Sequence, residues 1–292
     1  MRKLLTACFA ATLVTVSLGQ SFLMMPDSTN NRIVTFDPFN GSVINSSLFG
    51  LAAGTPIHAM QVGTEIWVSE QVGDRVSRWD AAGTSLGAVT GGLDNIRGMG
   101  LINGTVYVTN AGTANGAPGA AVVMFDTSGA NQGNFATPNA PSPFGILAHQ
   151  GGMLVSSSSA NDDIHRYSLT GTSLGTFHNS AIAFVEQMDY APNGDVLAAV
   201  FTTGNISRFD PNSGALLSSF AASGARGVHQ LGNGNIIWSN GSGVWIYDGV
   251  SSTQIYTGGG RYIDLYTPVP EPATLIAVGT GIAWSLRRRR KS

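Results

Sequence analysis

Three arginines and one glutamate stand at comparable points of four short apolar segments. These are Arg97-Gly98-Met99, Glu186-Gln187-Met188, Arg226-Gly227-Val228 and Arg261-Tyr262-Ile263. Between its two terminal segments the chain has only eight arginines and no lysine, so three in one kind of position is a concentration of its fixed cations. A guanidinium donates forked, paired hydrogen bonds to carboxylate or sulfate. Brought together, Arg97, Arg226 and Arg261 would make a cationic seat for the acidic group of a sugar polymer, with His58 one residue further along the same register. A second reading is equally open: the arginines fill and bridge an interior, pairing with Glu186, Asp189 or backbone carbonyls. The other chemistry-bearing residues exclude more than they suggest. The five histidines (His58, His149, His165, His178, His229) include no pair at HExxH spacing, and no Gly-x-Ser-x-Gly elbow is present. Gly104, Gly112 and Gly116 form no phosphate-binding pattern.

What must position these residues is a repeat. An aromatic residue followed by Asp or Ser recurs as Phe36-Asp37, Trp79-Asp80, Phe125-Asp126, Tyr167-Ser168, Phe209-Asp210 and Tyr247-Asp248, at steps of 43, 46, 42, 42 and 38 residues. A 40–50-residue period in strand-rich sequence marks a β-propeller, with four strands to each blade. Each repeat reads as an inner strand, a tight turn such as Asn103-Gly104 or Asn193-Gly194, an apolar second strand, and a third strand ending in the aromatic-Asp phrase. A Gly-containing turn then leads to an outer strand. The Asp is expected to fix that turn through local hydrogen bonds. Residues 21–49 supply three strands without an inner one, and Arg261–Tyr266 reads as an inner strand with nothing after it. Pairing them closes a ring of six with strands from both termini and hides the edges these would otherwise leave open. A two-sheet sandwich is the alternative. In the ring, inner-strand positions converge on a central channel, with His58, Gly98, Gly145, Gln187, Gly227 and Tyr262 at one level. Ile57, Arg97, Phe144, Glu186, Arg226 and Arg261 form the level before it.

Composition agrees with such a body. Charged residues are 11% and glycines number 38, as many short strands and tight turns require. Without the basic termini and Glu271, eight arginines face 16 acids, a net charge near −8. That balance argues against nucleic acid as a partner, because such binding rests on neutralising phosphates. The lone Cys8 lies in the N-terminal segment and excludes an internal disulfide. Its surroundings are only faintly like a lipobox, since the apolar run follows the cysteine.

The two ends read as addresses. Residues 1–19 combine Arg2 and Lys3, an apolar run and small residues before Gln20, the order of a secretory signal peptide removed by signal peptidase. At the other end Pro270-Glu271-Pro272 precedes an apolar run, Ala273 to Leu286, and then Arg287-Arg288-Arg289-Arg290-Lys291. Fourteen apolar residues are short for a membrane span, and the basic cluster resists translocation, so the segment reads as a stop-transfer tail. This three-part order resembles the PEP-CTERM sorting signal of Gram-negative bacteria. The resemblance implies recognition and tail removal by an exosortase, and company with exopolysaccharide production. The expected organisation is therefore a signal peptide (1–19), an all-β six-bladed propeller (20–268) and a sorting tail with an apolar helix (269–292). The chain would cross the inner membrane, be anchored by its tail, and end at the cell surface or outside.

The phrases Ile66-Trp67-Val68-Ser69-Glu70, Asp74-Arg75-Val76-Ser77-Arg78-Trp79-Asp80 and Pro143-Phe144-Gly145-Ile146 resemble the loose superfamily of six-bladed propellers. That group includes NHL-repeat proteins, SMP-30-like lactonases and virginiamycin B lyase-like proteins. The lactonase and lyase resemblance implies a calcium or magnesium ion near the channel mouth, for which Glu70, Asn110 and Asn240, with Asp27 of the closing blade, offer oxygen ligands. These residues are also ordinary turn formers. It further implies a general base at a position such as His229, and Glu186 is the other catalytic candidate. A lone histidine on an inner strand also serves simply as hydrogen-bonded filler. Three functions follow. The first is an exported, non-enzymatic module of the cell surface or extracellular matrix that binds a polysaccharide or protein. The second is a metal-dependent lactonase or lyase using some of Glu70, Asn110, Glu186, His229 and Asn240. The third is a passive matrix protein.

Overall fold

The computed structural model describes residues 20–159, 164–178 and 182–269. Residues Ser21–Tyr266 form one unit of six four-stranded antiparallel sheets. In chain order the inner strands of blades 2 to 6 are Pro56–Val62, Ile96–Ile102, Pro143–His149, Val185–Tyr190 and Gly227–Gln230. Blade 1 takes its inner strand, Asp264–Tyr266, from the other end of the body. There Phe22 pairs with Tyr266 and Met24 with Asp264, and the Phe22 and Tyr266 rings stack at 4.9 Å. The expected closure is present, although only the last three residues of Arg261–Tyr266 are paired as strand.

The six blades are held by six apolar clusters, one at each interface between neighbours. This explains why the second strands are apolar throughout instead of alternating with polar residues. Successive side chains point to opposite faces of a strand, and in a propeller both faces are covered. In Glu65–Glu70, Ile66 and Val68 enter the cluster shared with blade 1, while Trp67 between them enters the one shared with blade 3.

The recurring aspartate does what its turn required. Asp37, Asp80, Asp126, Asp210 and Asp248 each accept two backbone N–H groups of the following turn, and Ser168 does so through its hydroxyl. The expected signal peptide and the sorting motif from Pro270 onward, with Glu271, Pro272, the apolar run and Arg287 to Arg290, lie outside the described residues. Among the described residues no helix is long and apolar enough to cross a membrane.

Candidate functional site

Hydroxyl side chains set the spacing of the inner strands. Ser69 donates to the Arg97 carbonyl at 2.5 Å, Thr109 to Phe144 at 2.8 Å, Ser156 to Val185 at 2.8 Å and Ser239 to Arg261 at 2.5 Å. Each staple runs from a second strand to the next blade's inner strand or, for Ser239, to Arg261 in the segment leading into it. The signal was present in the sequence as a hydroxyl residue before the last residue of the second strand, and the sequence reading passed over it. With the strands this close, side chains at the inner level either vanish or fill the channel. A Cβ at Gly98 would lie 2.5 Å from the Phe144 carbonyl, and those at Gly145 and Gly227 would strike the carbonyls of Glu186 and Arg261. The remaining positions of that level carry His58, Gln187 and Tyr262. Gln187 Oε1 accepts the N–H groups of Val228 and Ile263, both at 2.9 Å, and its Nε2 donates to the Ile263 carbonyl. Tyr262 packs with Ile57, Phe144 and Phe184 and donates its hydroxyl to the Glu186 carbonyl at 2.6 Å. The channel is plugged at its middle, and a distinct mouth lies at either end.

The arginines collect at the mouth where the inner strands begin. Glu186 is 2% exposed, with Arg226 Nε 3.7 Å from Oε1 and Arg261 Nη1 3.9 Å from Oε2. Its Oε2 accepts no hydrogen bond. Burial pushes this carboxyl up to about 7, against the opposing pull of Arg261, Arg226 and Arg97. Arg261 also donates from Nε to Ser28 Oγ, and Arg226 lies over the Phe201 ring at 5.4 Å. Arg97 is committed further. Its Nη1 reaches Ser142 Oγ at 2.8 Å and the Pro143 carbonyl at 3.1 Å, and the guanidinium stacks 4.7 Å from the Phe144 centroid. The three arginines pair internally to different degrees. Arg97 bridges neighbouring strands, whereas Arg226 and Arg261 divide one carboxylate at distances too long for ideal hydrogen bonds.

His58 belongs to the other end. Its Nδ1 accepts the Met99 N–H at 3.0 Å and its Nε2 lies 3.3 Å from Asp264 Oδ2. His229 Nδ1 is 2.6 Å from Asp189 Oδ2. His58, Asp264 and Asp189 line a cavity of about 460 Å³ at the end where the inner strands finish. Sequence reasoning missed this cavity because its polar groups come from separate blades at unrelated spacings.

The expected cation ligands are spent individually on their own loops. Glu70 is buried and takes Arg75 Nε at 2.8 Å on Oε2, while its Oε1 accepts no hydrogen bond. Asn110 donates to the Gly112 and Gly119 carbonyls and accepts the Asp94 N–H at 2.7 Å. Asn240 donates to the Ser223 carbonyl and accepts the Ser242 N–H at 2.8 Å. Asp27, at the same place in the closing blade, accepts from Thr29, Asn30, Tyr256 and Gly259. Among the described residues no three of His, Cys, Asp or Glu are grouped to hold a metal. Asn110 and Asn240 already give their side-chain oxygens to backbone donors, so this donor set does not fit a calcium or magnesium ion.

Comparison with known proteins decides the C-terminus. Residues 268–291 match the model of the PEP-CTERM protein-sorting motif. The chain carries a PEP-CTERM sorting signal. The motif implies export, processing by an exosortase, membrane-anchored sorting and then a place at the surface. No curated protein matches the chain in sequence. Solved structures match the body. One is a protein of unknown function from Bacteroides caccae, at 14% identity and TM-score 0.63 over 85% of this chain and 99% of that one. A chain of a nidogen/laminin complex aligns at 12% identity and TM-score 0.70, over 84% and 98%. Virginiamycin B lyase from Staphylococcus aureus aligns at 14% identity and TM-score 0.55, over 84% and 80%. At such identities these likenesses carry the fold and no activity.

Proposed function

We propose that this protein is a surface-sorted binding module whose arginine mouth seats the carboxylates or sulfates of an acidic polysaccharide. The supporting observation is the charge at that mouth: Arg97, Arg226 and Arg261 face the single carboxylate of Glu186. A carboxylate or sulfate placed against Arg226 and Arg261 would complete the forked hydrogen bonds that Glu186 is too distant to make. In this reading residues 1–19 are removed by signal peptidase on export across the inner membrane. The 269–292 tail then holds the propeller there until the exosortase acts, and exopolysaccharide is the natural surface ligand.

The test uses the full-length chain and gel-retardation affinity on alginate, dextran sulfate and neutral dextran. Retention by the two acidic polymers, lost at high salt and weakened at least tenfold by Arg226→Gln or Arg261→Gln, is the expected result. Equal retention by neutral dextran, or acidic retention indifferent to both variants, overturns the proposal.

A further inference from the structure

The cavity at the opposite mouth has the reverse character. Its floor holds two carboxylates, Asp189 and Asp264, each facing an imidazole, and no Arg or Lys lines it among the described residues. The side chains of Asp189 and Asp264 are 26% and 35% exposed, so both acids are open to the space they share. Burial holds the Asp189 carboxyl above its ordinary value, His229 pulls it back, and the charge of Asp264 pushes it up again. Two like charges facing one cavity whose described lining holds no Arg or Lys, and only an imidazole beside each, leave an electrostatic cost that a positive ligand would relieve. The walls are apolar: Met60, Met99 and Met188 line them, with their side chains buried in the clusters between the blades. Leu101 and Leu265 stand exposed among the lining residues, an apolar surface at the edge of the acidic floor. A volume of about 460 Å³ lies in the range of small-molecule sites.

We infer that this cavity binds an amphipathic organic cation, an ammonium group on an apolar stem, with the charge between Asp189 and Asp264 and the stem against Leu101 and Leu265. Such a group comes from two sources, a free amine or the lysine side chain of a polypeptide. The site does not share a residue with the arginine mouth, so the two proposals stand or fall separately.

The experiment is calorimetric titration of the full-length chain at pH 8, where imidazoles are ordinarily neutral. The probes are 4-phenylbutylamine, the isosteric alcohol 4-phenylbutanol and the acid 4-phenylbutyrate. Saturable binding of the amine, at least tenfold tighter than the alcohol, with no binding of the acid, is expected. Asp264→Asn and Asp189→Asn should each weaken the amine about tenfold and leave the alcohol unchanged, while Arg226→Gln should alter neither. An N-acetylated lysine peptide compared with its norleucine counterpart separates the sources: preference for the lysine peptide over the amine assigns a polypeptide ligand, and the reverse assigns a small molecule. Because the three probes are compared on the unmodified protein, a variant that fails to fold does not remove the test. Equal affinity for amine and alcohol, or no amine binding at millimolar concentration, overturns the inference.

Discussion

Replacing Glu186 by Gln should change how stability depends on pH. The Glu186 carboxyl titrates near 7 in the folded protein because burial outweighs the attraction of Arg261, Arg226 and Arg97, whereas its ordinary value is 4.5. Between those values the folded state keeps a proton that the unfolded state has released. Stability then falls as pH rises. The contribution is fully present below about pH 4.5 and is lost as pH climbs through about 7. At about 1.36 kcal/mol for each tenfold change in proton affinity, the loss is about 3 kcal/mol across that window. The substituted amide imitates the protonated carboxyl at every pH, so Glu186→Gln should gain about 3 kcal/mol on the wild type between pH 4.5 and 8. Urea unfolding of both proteins at half-unit pH intervals reads this directly, and titrations common to the two cancel in the difference. A difference that moves by less than about 1 kcal/mol across the window would refute the reasoning. The same proton bears on function. Protonating Glu186 releases Arg226 and Arg261 from their internal partner, so retention on alginate should strengthen as pH falls through 7 and become pH-independent in Glu186→Gln.

Two further changes test the frame that holds the mouths. Asp27→Ala should cost about 3 kcal/mol, because it leaves Arg32 and the loop donors of the closing blade without their buried carboxylate. Burial pushes the Asp27 carboxyl up, but hydrogen bonds from Asn30, Tyr256 and Gly259 outweigh it and hold the group below its ordinary value. Its stabilisation is therefore present above about pH 4 and is lost as pH falls through the lowered value, so the wild type's advantage over the variant in urea unfolding should shrink as pH falls below about 4. Gly227→Ala drives a methyl into the Arg261 carbonyl, and a loss of about 2 kcal/mol in thermal or urea unfolding is expected; an unchanged midpoint would mean the inner strands are not packed this tightly.

The blades were legible because their cause is local. An Asp, or Ser168 in its place, that must satisfy a turn and a Gly that must sit at positive φ recur once in every blade; Gly83 and Gly171, at φ 84° and 87°, lie against Phe49 and Phe135 of the preceding blade. The level of Arg97, Glu186, Arg226 and Arg261 was also legible, because aligning the Gly-apolar step fixes inner-strand register. What could not be read was which partner each side chain would choose. Nothing near Arg97 in sequence announces Ser142 and Pro143, which lie 45 and 46 residues away. His58 was placed at its own level, one residue beyond the arginines, but was counted with them as one ligand-binding channel, and one residue at a channel plug is the difference between two mouths. Glu70, Asn110 and Asn240 were correctly equated across blades, but their spacing did not show that each would close its own loop.

The plug also gives the molecule its polarity. Three glycines let neighbouring strands meet, and His58, Gln187 and Tyr262 occupy the space that remains, so each small residue requires a large one elsewhere in the same ring. Because that ring is filled, charge cannot be neutralised along the axis. The three guanidiniums stay at one end and the carboxylates of Asp189 and Asp264, each beside an imidazole, at the other, in a body whose net charge is near −8. An acidic protein repels acidic polymers everywhere except where cations are concentrated. If the arginine mouth seats a polysaccharide carboxylate, the surrounding negative surface limits attachment to that end and leaves the acidic cavity facing away, accessible to a cation from the opposite side.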